Sequence, residues 1–269
     1  MPRVRWRRPG WRAWLAVAGV VIILAGAAVA VRWLSRTSAT GPPECRVAVG
    51  SVSYYFDLEQ AANATTIAAV GKRMGLPDHA VTVAVATALQ ESGLRNLMHG
   101  DRDSLGLFQQ RPSQGWGTPA QILTPSYAAA TFYQHLVAIS GWETLPVTAA
   151  AQQVQRSGSP TAYASWESEA RVVARATTGE VPAGLSCRTP IQSVPSPAVL
   201  QQAMAQELGS PTLGVALDSA RGWTVATWLV GHASPFGIRS VTYGGQIWTP
   251  DAEQWQQRPP VDPQVRIRS

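Results

Sequence analysis

From Ala13 to Val31 the chain carries no charged side chain. That run approaches the roughly 20 apolar residues a helix needs to cross a bilayer. Trp11, Trp14 and Trp33 stand at its two ends, where interfacial aromatics settle. Five arginines precede it and two follow. The positive-inside bias then holds the N-terminus in the cytoplasm and exports what comes after the span. The expectation is a basic cytoplasmic segment at 1–12, a single-pass anchor at 13–33 and a polar tether at 34–44. A cleaved signal peptide is the alternative, since Ala28-Val29-Ala30 suits an A-x-A site. Cleavage after Ala30 would leave a secreted protein. Both readings put the body outside the cytoplasm.

The charge distribution follows from this segment. The formal net charge is +6; of 22 basic residues, seven arginines lie within 1–36, leaving 15 against 16 acidic side chains. A nucleic-acid binder carries its positive charge on the folded surface, so nucleic acid is not an expected partner. Cys45 and Cys187 are the only cysteines. An even count in an exported chain suggests one disulfide, closing a long loop and restricting the unfolded chain. Two unpaired thiols are the alternative.

Apolar residues at helical spacing predict helices at 58–74, from Pro77-Asp78 to about Gln90, and at about 126–139, 147–156 and 161–177. Gly93 is placed to stop the second. Residues 100–118 are rich in Gly, Pro, Asp, Ser and Gln and read as loop. The proline-rich stretch 178–197, which contains Cys187, reads as a linker. Beyond it, a helix at 198–208, a strand at 214–218, a helix at 223–232 and a hairpin of 238–243 and 246–249 around Gly244-Gly245 form a small α/β domain at 198–269. The fold class expected is mainly α, with a helical domain at 45–177 after the transmembrane helix and the small α/β domain at the C-terminus.

Glu91 is the candidate for chemistry, a surface glutamate on a frayed helix end being the alternative reading of the residue by itself. It follows an apolar helix and precedes a helix-ending glycine, so burial and the negative end of the helix dipole both disfavour its ionisation. A general acid in glycoside cleavage requires that. Glu91-Ser92, followed by Ser104-x-Gly106-Leu107-Phe108-Gln109, resembles the lytic transglycosylase and goose-type lysozyme superfamily. Its signature is a helix ending in Glu-Ser and a Gly-Leu-Met-Gln segment lining the cleft; Phe108 replaces the methionine. The run from Gly100 to Thr118 looks like that of a subgroup of exported actinobacterial wall proteins with this domain. The resemblance covers about Asp57 to Ala176.

The resemblance implies a lysozyme-like catalytic domain at 45–177 on a bacterial cell membrane, with peptidoglycan glycan strands as substrate and no cofactor. Glu91 would protonate the oxygen of the β-1,4 bond between N-acetylmuramic acid and N-acetylglucosamine. Ser92 would orient it or bind sugar, and Gln109 would hydrogen-bond along the cleft floor, with Ser104, Gly106 and Phe108 in the same segment. The family has an Ala-Tyr-Asn segment on a later helix whose tyrosine faces the acid. The matching stretch, Ala151 to Gly158, lacks that tyrosine. Gln155 or Arg156 stands in its place, or Tyr163 reaches in from the next helix.

Two reactions stay open. With one carboxylate, the sugar's own 6-hydroxyl closes a 1,6-anhydro ring. With a second carboxylate, Asp103 or Asp101, water completes hydrolysis; the competing role of these aspartates is turn capping. Among the aromatic residues, Trp116 is expected in the cleft, and Trp142, Tyr133 and Trp166 in the core. His79, His99, His135 and His232 have no metal-ligand spacing, so no metal is expected. The C-terminal stretch from Gly222-Trp223 to Trp248 resembles a small domain that often ends exported actinobacterial wall proteins, which implies a wall or protein partner. A catalytically silent glycan-binding protein is the runner-up. A transporter is disfavoured, since one span forms no alternating-access bundle.

Overall fold

The computed structural model describes residues 41–158, 161–191, 196–209 and 213–269. The expected anchor at 13–33 lies outside them. Among the described residues no helix is long and apolar enough to cross a membrane.

The described residues form nine α-helices and seven β-strands, with the strands in two small antiparallel sheets. The mainly helical class is as expected. The first strands are not: β1 (Glu44–Val49) and β2 (Val52–Phe56) form a hairpin between the expected tether at 34–44 and the expected helix at 58–74, where the sequence reading places no element. Alternation explains β1, since Cys45 and Val47 face the core while Glu44 and Arg46 do not.

Asp57 then caps α1 (Leu58–Arg73) in a capping box with Gln60. Helix α2 (Asp78–Ser92) is buried without interruption from Ala80 to Leu89 and ends at Gly93 in the left-handed conformation. Its all-round burial makes it the central helix, packed by α1, by α4 (Pro125–Val137), by α5 (Val147–Gln155) and by α6 (Glu167–Thr177). Short α3 (Pro119–Ile122) precedes α4. The helix expected over 161–177 is divided: Ala162–Trp166 is a tighter 3-10 turn and α6 follows.

The stretch expected to be a linker holds a strand, β3 (Leu185–Arg188), that pairs with β1 on the side opposite β2. Cys45 stands directly across from Cys187 in that register, and the two are disulfide-bonded. Beyond it come α7 (Pro197–Leu208), α8 (Ser219–Gly231) and α9 (Ala233–Phe236). The second sheet has the order β6-β5-β4-β7, from β4 (Ser240–Tyr243), β5 (Gln246–Trp248), β6 (Gln256–Gln257) and β7 (Arg266–Arg268). Gly244-Gly245 makes the expected turn, with φ of 58° and 75° that suit glycine. The strand expected at 214–218 is reduced to one bridge between Ala216 and Gln264.

No boundary separates the C-terminal part as a body of its own. Pro42–Ser269 are one compact unit. Helix α8 packs on α1 and β3, and one apolar core runs through both parts. Trp248 and Trp255 donate their indole N–H groups to Cys187 O and Leu185 O at 3.1 and 2.8 Å. The strand inside the supposed linker is thus gripped by the C-terminal part.

Candidate active site

The end of α2 presents Glu91 and Ser92, both half-buried. Gln60 Nε2 and Asn63 Nδ2 on α1 donate to the carbonyls of Gly93 and Leu94 at 2.9 and 2.8 Å. These bonds tie the turn that follows α2 to α1, next to the helix end that carries Glu91.

Tyr163, fully buried in the 3-10 turn before α6, donates its phenol to Glu91 Oε1 at 2.6 Å. Burial above all, and then the Glu91 bond, push this phenol up from its ordinary value. Trp166 at the end of the same turn donates to Gln90 Oε1 at 2.8 Å, so the turn is fastened beside the carboxyl it serves. Of the three candidates for the missing tyrosine's place, Tyr163 is the one in contact with the acid. Gln155 is turned to another task, and Arg156 is exposed.

The segment 105–110 closes on itself through paired bonds between Leu105 and Gln110, of 2.9 and 3.0 Å. Leu107 and Phe108 point inward and are fully buried, and Phe108 stacks on Phe132 with ring centres 4.7 Å apart. Their carbonyls are taken from two sides: Ser92 Oγ lies 2.7 Å from Leu107 O, and Gln155 Nε2 donates to Phe108 O at 2.8 Å. Ser92 also lies 3.0 Å from Ala88 O; its single proton favours the shorter contact. Gly106 has φ of 72°, and a Cβ there would meet Ile122 O at 2.8 Å, so glycine is required.

These facts correct part of the expected substrate-binding set. The Phe108 ring is core, because apolar rings beside Phe132 gain more from burial than from a wet cleft. Ser104 and Gly106 are buried as well and shape the turn rather than its surface. Ser92 and Gln155 hold that turn against the two helices. Gln109 remains at the surface and donates to Gly106 O at 3.2 Å.

Asp103 does the work of a turn. Its Oδ1 accepts from Arg111 Nε at 2.7 Å and its Oδ2 from the Ser113 N–H at 2.8 Å. Hydrogen bonds from Ser113, and then from Arg111, hold this carboxyl well below the usual range. Asp101 is almost wholly in solvent, 3.9 Å from Arg102 Nε. Neither aspartate hydrogen-bonds Glu91 or Tyr163. Trp142 and Tyr133 are core residues, as expected. Among the described residues no group of three or more His, Cys, Asp or Glu side chains is placed to hold a metal.

No protein-family model and no curated protein matches this chain. The site therefore rests on its own geometry.

On the far side of the 106–109 turn lies a cleft of about 460 Å³. Gln109 and Gln155 border it, and Trp116 lines it with its ring stacked on His135 at 4.0 Å. The sequence reading missed His135, Gln110 and Arg111 as cleft residues. The close spacing of Gln109, Gln110 and Arg111 on one turn was the available signal.

Proposed function

We propose that this chain is a membrane-anchored, peptidoglycan-cleaving enzyme of the lysozyme-like superfamily, with Glu91 as general acid and base. One observation carries the reading: a glutamate at the end of a buried helix, fixed by a buried tyrosine at 2.6 Å; the polar, aromatic-lined cleft lies across the 106–109 turn and is not lined by Glu91 itself. Tyr163 supplies from the following turn the contact that the superfamily takes from its Ala-Tyr-Asn segment.

The chemistry is a proton transfer with ring closure. Glu91 donates its proton to the bridging oxygen as the bond from the N-acetylmuramic C1 to that oxygen breaks. The 6-hydroxyl of the same sugar attacks C1 and returns its proton to Glu91. The product is a 1,6-anhydro end, and no water is consumed. The commitment of Asp103 to Arg111 and Ser113, and the solvation of Asp101, favour this route over hydrolysis by a carboxylate pair. The Cys45–Cys187 bond fits an extracytoplasmic body, since disulfides persist in oxidising compartments.

The test is incubation of the full chain in detergent with purified peptidoglycan, followed by mass analysis of soluble fragments. Anhydro ends are expected. Reducing ends would indicate a hydrolytic muramidase, and binding without fragments a catalytically silent wall protein. Glu91→Gln should abolish release while leaving the circular dichroism spectrum unchanged; release that survives this change removes Glu91 from the mechanism.

A further inference from the structure

The outer face of the first sheet shares no residue with the site around Glu91. Cys45 and Val47 of β1 face the core, so alternation turns Glu44 and Arg46 outward together. The register sets Arg46 between Tyr55 on β2 and Ser186 on β3, and sets Glu44 across from Arg188. Two cavities, of about 200 and 270 Å³, lie over this face and share Arg46, Ser186 and Glu253. They form one groove, with the sheet as its floor and the segment 253–255 as its wall. That wall is fastened to β3: Ser186 Oγ donates to Ala252 O at 3.2 Å, and Trp255 Nε1 to Leu185 O at 2.8 Å. The groove is therefore preformed.

Four charged side chains line it, two of each sign: Arg46, Arg188, Glu44 and Glu253. Arg188 is committed. Its Nε and Nη2 both donate to Pro42 O at 3.1 Å, and its Nη1 lies 3.8 Å from a Glu253 carboxylate that is 83 % exposed. An ion pair that long and that wet contributes little. Arg46 and Glu44 are uncommitted, since among the described residues neither makes an ion pair. Tyr55 beside them is 58 % exposed, a large ring left without cover.

Charge complementarity selects the occupant. A polyanion, whether nucleic acid or an anionic bilayer, calls for an excess of positive charge, and this groove has none. Its charges alternate in sign on the spacing of a sheet face, about 6.5–7 Å along a strand and about 5 Å across strands. An extended peptide offers its own groups on the same spacing. One that bears a free amine and a free carboxylate matches the pattern, and the Tyr55 ring gives it an apolar contact.

We propose that this groove binds a peptide carrying both a free amine and a free carboxylate, with Arg46 as the carboxylate contact and Glu44 and Glu253 as the amine contacts. The source is the uncrosslinked peptide of the bacterial wall, where the amine of a diamino residue stands next to a terminal carboxylate. That source rests on reading the chain as a wall enzyme. The groove holds the body to peptide while Glu91 acts on glycan, and it takes no part in the proton transfer.

The experiment is calorimetric titration of the full chain in detergent with three peptides. The first is the N-acetylated tetrapeptide alanyl-γ-D-glutamyl-lysyl-D-alanine. The second has its lysine amine acetylated as well, and the third has its carboxylates amidated. The first should bind about tenfold or more tightly than either blocked form at low salt, the scale of a charge-assisted hydrogen bond. The advantage should shrink as salt rises, because the groove is open to solvent. Arg46→Gln should erase the effect of amidation and keep that of acetylation. Glu44→Gln with Glu253→Gln should do the converse. Melting temperatures of these variants should stay close to that of the unaltered chain. Equal binding of the three peptides, binding of none, or preferences that survive the substitutions overturns the proposal. Glu91→Gln should bind the first peptide as the unaltered chain does, and Arg46→Gln should still release fragments from peptide-free glycan. Peptide binding by a chain that cleaves no peptidoglycan supports the groove and sinks the Glu91 reading; cleavage without peptide binding does the reverse.

Discussion

At the residue scale, the Glu91–Tyr163 contact sets most of what can be tested. Tyr163→Phe keeps the buried ring and removes one 2.6 Å hydrogen bond. Release of fragments from peptidoglycan should fall by roughly ten- to a hundredfold, since a bond to a charged group contributes about 1.5–3 kcal/mol. Folding should survive, which a thermal melt at pH 7 would check. The phenol is also a linkage group. Its folded pKa is raised, by burial first and by Glu91 second. Its stabilising contribution is therefore full below the ordinary phenol value of about 10 and is lost as pH rises through the higher folded value. Tyr133 is raised as well, by burial. Denaturant titrations from pH 8 to 12 should show an alkaline loss of stability that is smaller in Tyr163→Phe but still present. An identical loss in the variant would show that Tyr163 is not protonated and buried as described. The pairing was only half legible in the sequence. The resemblance of Glu91-Ser92 and the 104–109 segment to a known superfamily singled out Glu91, but Tyr163 was one of three candidates, because 72 residues separate the partners and only packing of the turn on α2 selects it.

At the element scale, the turn at 105–110 is the feature most open to disruption. Gly106→Ala places a Cβ 2.8 Å from a backbone carbonyl at φ of 72°. The expected cost is about 1–3 kcal/mol, read as a shift of the denaturation midpoint, with a loss of activity larger than the loss of stability. Asp103→Asn should loosen the loop ahead of the 3-10 turn Pro112–Gln114. Hydrogen exchange at the Ser113 amide should accelerate at neutral pH in this variant. In the unaltered chain the same acceleration should appear only in acid: the folded pKa is lowered by the bonds from Ser113 and Arg111, so the contribution is present above the usual carboxylate value and lost as pH falls through the folded one. Unchanged exchange in the variant would leave Asp103 free for some other role. Helices were read well from the sequence because their apolar spacing and stop glycines are local. The β1–β2 hairpin and β3 were missed. Their signal is a few alternating residues, and β3 becomes a strand only through pairing with β1, whose nearest residues lie far away in sequence.

At the scale of the whole molecule, two tests address how the parts hold together. The disulfide spans 142 residues. Chain-entropy reasoning gives it about 5 kcal/mol. Replacing both cysteines by alanine should lower the melting temperature by roughly 10–20 °C, and a change below a few degrees would mean that the unfolded chain is already restricted. Truncation after residue 197 removes α8, the helix that covers α1, together with both tryptophans that donate to β3. The truncated chain should be insoluble or rapidly degraded by protease. A soluble, cleavage-competent fragment would restore the picture of a separate accessory domain. Thr224 Oγ1 donating to Thr178 O at 2.7 Å shows how closely the parts are joined, since the acceptor lies at the start of the supposed linker.

The sequence alone determined the helical character and the even cysteine pair, and it singled out Glu91 as the candidate acid. Each depends on residue type or on neighbours within a few positions along the chain. Only the tertiary structure decided that Tyr163 meets Glu91, that Phe108 is core, that Asp103 belongs to a turn, and that the proline-rich stretch holds a strand inside one continuous core. Those outcomes depend on which distant surfaces exclude water together, and burial of that kind leaves no periodic mark on the segments that take part in it.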